Sequence, residues 1–318
     1  MRVAILGSGA WGAAFGLALA ADKTTKVIFW DRNNNAAKAA AAGRPLAFPD
    51  LSVAVCAETA PDIATAVADV DLTVIAVSSG GFEQVLRQLS ANPSPVVWLS
   101  KGFNDKGPLC VTAAAVLGVN GRFAVISGPS FAEEVMRGMP TALTLAASRQ
   151  ADADKLQEQL HRPFLRLYKN DDIVGVCVAG ALKNIIAIAA GVCDGMALGY
   201  NARAALVTRA LVEMAAFNSA MGGKNETLGE LCGIGDIFLS CTSDLSRNRQ
   251  LGFNIGVSNG VVDITETCEG VTAVESILAH AREAGISMPI SEMVGSLLRG
   301  DCLPQTALAQ LLKRPIRK

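Results

Sequence analysis

The sequence predicts an α/β chain, with a doubly wound, mostly parallel sheet over 1–172 followed by an all-α part over 173–318. Three observations carry this prediction. The 318 residues exceed what one ordinary core fills and suit two domains. Hydrophobic residues make up 51% of the chain but aromatics only 5%, so the apolar mass is Ala, Val, Leu and Ile, which suits close-packed helices and strands buried on both faces. Short β-branched runs alternate with Ala-rich stretches up to about residue 172, and beyond it strand signals nearly vanish.

Taken in order, the β-branched runs predict strands at 2–6, 26–30, 72–77, 96–99 and 123–127, with a further strand at 141–146. The longer Ala-rich stretches between them predict helices at 10–21, 34–42, 61–67, 82–90 and 109–117, and a late one at 151–161. In the second part 174–191, 201–221, 227–231 and 272–283 read as helices, and 308–312 as a short closing helix after Pro304. Gly222-Gly223, the segment 241–249 and Ser258-Asn259-Gly260 read as loops or helix ends.

Charge and cysteine usage exclude several classes. With 28 basic and 29 acidic residues spread along the chain, no electrostatic footprint for nucleic acid or an acidic membrane surface forms. The eight cysteines show no CxxC pair and no nearby histidine cluster, so they read as reduced cytoplasmic thiols and not as bridges or zinc ligands. His161 and His280 have no carboxylate or thiol at ligand spacing, and no metal is expected. Arg2, the apolar run after it and Ala18-Leu19-Ala20 imitate a secretory signal, but Gly7, Gly9 and Gly12 would interrupt its helix. The other long apolar run, 173–193, carries Lys183 and Asn184 at its centre, which a membrane span would accept only at considerable cost, so no membrane anchor is expected.

Gly7-Ser8-Gly9-Ala10-Trp11-Gly12 has the GxGxxG spacing between a predicted strand and a predicted helix. Gly7 permits the tight turn, Gly9 lets backbone approach a pyrophosphate, and Gly12 lets the helix pack on the strand with its N–H groups aimed at the anion. The next strand ends at Asp31, where an acid can bind the ribose of a dinucleotide. The first part thus reads as a Rossmann-like domain. Asp31 favours the free hydroxyls of NAD, while the adjacent Arg32 could hold the extra phosphate of NADP, so the residues leave NAD or NADP open.

Lys183 stands in a helix that is apolar on nearly every face and therefore buried. Buried lysines are rare unless paired or functional, and desolvation favours the neutral amine, which suits a group that gives and takes a proton.

Seven segments in fixed order then resemble one family: Gly7 to Gly12, Ser100-Lys101-Gly102-Phe103, 126–134 (Ile126-Ser127-Gly128-Pro129-Ser130-Phe131-Ala132-Glu133-Glu134), Ala181-Leu182-Lys183-Asn184, Asn201-Ala202-Arg203, Gly233-Ile234-Gly235-Asp236 and Ser246-Arg247-Asn248-Arg249. The chain resembles the bacterial-type NAD(P)-dependent glycerol-3-phosphate dehydrogenases almost end to end. The resemblance implies interconversion of dihydroxyacetone phosphate and sn-glycerol 3-phosphate, supplying glycerophospholipid synthesis, in a cytoplasmic homodimer.

It also implies roles. Lys183 would be the acid and base, with Lys101 and Asp236 beside it in catalysis. Lys101, Gly128, Ser130, Asp236, Ser246, Arg247 and Asn248 would contact substrate. Ser8, Trp11, Arg32, Lys101, Ala132, Arg247, Thr267 and Glu269 would contact the cofactor. A phosphomonoester asks for cations and N–H donors, and Ser246-Arg247-Asn248 offers three donors in a row. Two other readings share the dinucleotide turn: a 3-hydroxyacid or 6-phosphogluconate type dehydrogenase, and a non-enzymatic redox sensor. The donor run and Gly128-Pro129-Ser130 favour the glycerol phosphate reading over the first, and the second gives no reason for a buried Lys183.

Overall fold

The computed structural model describes residues 1–312 except 56, 91, 93, 119 and 261–267. Its strands, in chain order, are β1 (Arg2–Leu6), β2 (Lys26–Trp30), β3 (Ala57–Thr59), β4 (Leu72–Ile75), β5 (Val96–Trp98), β6 (Phe103–Asn104), β7 (Gly107–Pro108), β8 (Phe123–Ser127), β9 (Thr141–Ala147) and β10 (Leu165–Asn170). Eight of them build one sheet in the order β10-β9-β8-β5-β4-β1-β2-β3, and β6 and β7 form a separate antiparallel hairpin. All neighbours in the large sheet run parallel except β8 and β9.

The central strands are largely apolar because both faces are covered. Val3 and Ile5 of β1 join one buried cluster while Ala4 and Leu6 join the other. In β5 and β8 the same alternation sends Val97, Ala124 and Ile126 to the first face and Trp98, Phe123 and Val125 to the second. The edge strand β10 turns only Leu165 and Leu167 inward and keeps Arg166, Tyr168 and Lys169 outside, a charged edge that discourages pairing with another chain.

Beyond β10 the described residues are helical. The helix Ile173–Gly195 runs through the centre of a third cluster, starting where Asp172 accepts a hydrogen bond from Gly175 N and also holds Lys224 N and the Thr227 hydroxyl. By length and hydropathy this helix could cross a membrane, but 83% of its most apolar window is buried inside the protein. The helix Arg247–Val257 packs against it with almost no side chain between the two backbones. A Cβ at Gly191 would stand 2.0 Å from Arg249 O, one at Gly195 2.2 Å from Phe253 O, and one at Gly252 2.0 Å from Ile188 O. Arg249 locks the seam through Asp194 at 2.7 Å, and Arg203 adds a second contact to the same carboxylate at 2.8 Å.

The segment 241–249 consists, as expected, of helix ends and the loop between them: it joins the end of Asp236–Thr242 to the start of Arg247–Val257, which the Ser246 hydroxyl caps by accepting from Arg249 N. Other expectations need correction. The helix expected at 227–231 is a tight turn over Asn225–Gly229 followed by a wider one, in which Gly235 N reaches Glu230 O five residues back. The predicted strand at 72–77 ends at Ile75. β3, β10, the hairpin and the helices Ala132–Met136 and Pro289–Arg299 had no expectation.

Candidate active site

The glycine turn, Lys101 and the Gly128–Ser130 segment all follow the carboxyl ends of strands, β1, β5 and β8 respectively. That edge is where open α/β sheets bind ligands. Gly7 has φ 110°, and a Cβ there would lie 2.6 Å from Ala76 O, so no other residue fits the turn. A Cβ at Gly12 would stand 2.1 Å from Gly7 O, which keeps the helix Ala10–Ala20 pressed on the turn. Gly9, in contrast, faces open space within 4 Å. The helix carries no side-chain cap, so its first N–H groups point outward without a partner residue. Ser8 Oγ and Trp11 Nε1 are buried without a hydrogen-bond partner among the described residues. A buried polar atom left unpaired costs free energy, and a pyrophosphate in the turn would satisfy these donors; the residues fit a dinucleotide. Asp31 crosses the same turn, its Oδ2 accepting from Ser8 N at 2.6 Å, and Arg32 beside it is exposed.

Lys101, Lys183 and Asp236 come together from three distant parts of the chain. Asp236 opens its helix and is 1% exposed. Its Oδ2 accepts from Lys101 Nζ at 2.6 Å and its Oδ1 from Lys183 Nζ at 3.2 Å. Burial alone would raise the Asp236 carboxyl, but the two ammonium charges and their hydrogen bonds outweigh it and hold the group below the usual carboxylate range. Burial pushes Lys101 below the usual lysine range, and the Lys183 charge adds to that against the opposing pull of Asp236. Gly180, one turn before Lys183, makes the approach possible: a Cβ there would lie 2.9 Å from Ser127 Oγ.

The donor count separates the two lysines. An ammonium has three N–H bonds. Lys101 directs its nitrogen at Asp236, at Gly128 O (2.9 Å) and, weakly, at Ser130 Oγ (3.5 Å). Lys183 uses two donors, on Asp236 and on Ser240 Oγ at 2.9 Å, and its third has no partner among the described residues. Ser240 escaped the sequence reading. Its position four residues after Asp236 on one helix was the available signal, since i and i+4 share a face.

A second polar chain lies beside Lys183. Asn184 Nδ2 donates to Glu269 at 3.0 Å, Asn248 Nδ2 donates to Asn184 Oδ1 at 3.0 Å, and Gly270 N donates to Asn248 Oδ1 at 3.1 Å. The expected run of three donors is therefore not one uniform cradle. Ser246 Oγ is turned to its own helix and Asn248 is buried in the chain just described, which leaves the exposed Arg247 and the N-terminal amides of the helix Arg247–Val257 facing outward. Ala132 begins the short helix Ala132–Met136, and Thr267 lies outside the described residues.

Models of the N- and C-terminal parts of NAD-dependent glycerol-3-phosphate dehydrogenase match residues 2–153 and 172–309. The chain belongs to the NAD-dependent glycerol-3-phosphate dehydrogenase family. It is an NAD(P)-dependent oxidoreductase, with the coenzyme preference not fixed by membership. Glycerol-3-phosphate dehydrogenase [NAD(P)+] of Variovorax paradoxus (strain S110) is 41% identical over 332 residues, covering 99% of this chain and 97% of that one. The enzyme of Acidovorax sp. (strain JS42) is 39% identical over 328 residues, with 99% and 98% covered. The crystal structure of glycerol-3-phosphate dehydrogenase from Coxiella burnetii superposes with a TM-score of 0.91 at 37% identity, covering 98% of this chain and 99% of that chain.

Proposed function

We propose that the chain interconverts dihydroxyacetone phosphate and sn-glycerol 3-phosphate with NAD(P)H, supplying glycerophospholipid synthesis, as a cytoplasmic homodimer with its coenzyme part in 1–172 and its substrate part in 173–318. The observation that carries this reading is the pair of lysines on one buried carboxylate, of which only Lys183 has a donor to spare.

When bound, the nicotinamide supplies the hydride that adds to the carbonyl carbon. Lys183 gives its free proton to the carbonyl oxygen as that oxygen becomes an alkoxide, and takes it back from the alcohol in the reverse direction. Asp236 and Ser240 hold Lys183 Nζ in place through bonds of 3.2 and 2.9 Å. Lys101, with its donors engaged, acts as a fixed positive charge against the developing oxyanion. Arg247 and the amides of its helix take the phosphate, while Asn248 and Ser246 hold that helix end in register with Lys183. On the other side Gly7 to Gly12, Asp31 and Arg32 hold the dinucleotide, with Ala132 and Glu269 at its margin.

The test is loss of reduced-nicotinamide absorbance with dihydroxyacetone phosphate and with unphosphorylated dihydroxyacetone. Turnover confined to the phosphorylated ketone is expected. A folded protein that binds dinucleotide yet oxidises neither NADH nor NADPH would remove the assignment.

A further inference from the structure

We infer, on the reading of Lys101 as the fixed charge beside the reacting carbonyl, that His280 is a positioning residue for it: His280 holds the hairpin that follows Lys101 against the helical part of the chain. Lys101 stands beyond the carboxyl end of β5, yet the carboxylate it pairs with, Asp236, belongs to the helical part. A contact of 2.6 Å between the two parts requires a fixed register between them close to Lys101. On the sheet side Ser100 supplies it, its hydroxyl donating to Val77 O at 2.6 Å. On the helical side it comes through the hairpin β6–β7.

Phe103, two residues after Lys101, leaves the sheet and enters the third cluster. Among the described residues it is the one buried member of that cluster from before residue 173. Its ring lies 5.7 Å from Phe217 between centroids and stands edge to face with His280 at 5.0 Å and 85°. His280 also faces the second strand of the hairpin, since a Cβ at Gly107 would lie 3.8 Å from its Nε2. The imidazole is itself held: Nδ1 lies 2.9 Å from Ser276 O, and because a carbonyl only accepts, Nδ1 carries the hydrogen. One turn earlier on the same helix, Glu269–Glu283, the Ser276 hydroxyl donates to Asp105 Oδ1 at 2.7 Å at the tip of the hairpin. Gly102, between Lys101 and Phe103, is pressed on the helix Ser79–Arg87, where a Cβ would meet Ser79 Cβ at 2.4 Å, so a shift of the Phe103 ring carries Lys101 with it. At its other end the helix Glu269–Glu283 accepts from Asn184, the neighbour of Lys183, through Glu269. One helix thus holds the chain next to each lysine.

The experiment is a double-mutant cycle in steady-state turnover of dihydroxyacetone phosphate, with His280→Ala made in the wild type and in Lys101→Ala, and with nucleotide titration and circular dichroism of each protein. His280→Ala is expected to lower kcat about tenfold, within the range for a displacement of under about 1 Å caused from outside the site. The NADH dissociation constant is expected to stay within about twofold of wild type. In the Lys101→Ala background the same substitution is expected to change kcat by less than about twofold, because the group it positions is gone; a merely structural role would cost the same in both backgrounds. His280→Phe keeps an aromatic edge on Phe103 and is expected to recover most of the loss. Should His280→Ala fail to fold, His280→Leu, which keeps bulk but loses the aromatic edge and the N–H, enters the same cycle with the same expected outcomes. An unchanged kcat in the folded variant, or an equal loss in both backgrounds, would overturn the inference while leaving Lys101 in the site. Near-normal turnover by Lys101→Ala would overturn the reading of Lys101 and the inference with it.

Discussion

Replacing Asp236 by Asn isolates the charge at the centre of the lysine pair. The side chain keeps its shape and one acceptor oxygen, but ammonium groups at 2.6 and 3.2 Å lose their counter-ion in a site where Asp236 is 1% exposed. At an effective dielectric of about 20, unit charges at those separations attract by roughly 5–6 kcal/mol each. Relief of the carboxylate's own desolvation returns part of this, and removing one partner of a buried pair costs about 3–5 kcal/mol. The loss also has a pH signature. Lys101 already lies below the usual lysine range, and without Asp236 it falls further. A lysine whose folded value is below its unfolded one loses its proton first in the native state, so stability rises as pH climbs towards the unfolded value of about 10.4. The variant should therefore be about 3–5 kcal/mol less stable than wild type in urea at neutral pH, and should recover part of the deficit at about pH 9.5. A deficit under about 1 kcal/mol at neutral pH, or an equal deficit at both values, would refute the reasoning.

Three further outcomes are expected. Lys183→Ala should lower turnover by at least about a hundredfold with NADH affinity retained, measured by steady-state kinetics and nucleotide titration; near-normal turnover would remove Lys183 from acid/base chemistry. Arg247→Ala should raise KM for dihydroxyacetone phosphate about tenfold or more, as expected for a charged hydrogen bond to phosphate, and an unchanged KM would count against a phosphate contact. Glu213 caps the helix Pro289–Arg299 by accepting from Ile290 N and Ser291 N, and burial pushes its carboxyl up to about 7 against those bonds. Because that folded value lies above the unfolded one, the native state holds the proton more tightly, and Glu213's contribution to stability fades as pH rises from the unfolded carboxylate value through about 7. Glu213→Gln should flatten that fall in a plot of denaturation midpoint against pH; parallel slopes would show that Glu213 does not titrate there.

The sheet was legible because its strands are buried on both faces and so appear as unbroken apolar runs, as in Val3 to Leu6 and Phe123 to Ile126. Strands that bury one face only, such as β10 with its two inward leucines, leave too short a pattern to distinguish from a loop. Lys183 could be found because its charge is out of place in an apolar helix. Its partners were harder, since nothing local says that Asp236, 53 residues away, turns inward, and the i, i+4 spacing that carries Ser240 onto the same nitrogen has meaning only once Asp236 is placed. The seven-motif resemblance named Lys101, Asp236, Arg247 and Asn248, but nothing in the sequence says that Asn248 also donates to Asn184. A capping Ser and a bridging Asn look alike in sequence, because the same polar atoms serve both tasks.

The glycine seam between Ile173–Gly195 and Arg247–Val257 bears on how this protein can be hardened against heat. Replacing helical glycine by alanine is a standard route to stability, giving about 0.4–1 kcal/mol by restricting the unfolded chain. At Gly191, Gly195 and Gly252 the added methyl would meet backbone oxygen at 2.0–2.2 Å and pry apart the two helices that carry Lys183 and Arg247. Gly80, exposed in the helix Ser79–Arg87 with nothing within 4 Å of a Cβ, offers the same gain without the collision. A variant library built on helix propensity alone would treat all four positions alike, and three of them would lose the close approach that sets Lys183 and Arg247 relative to each other.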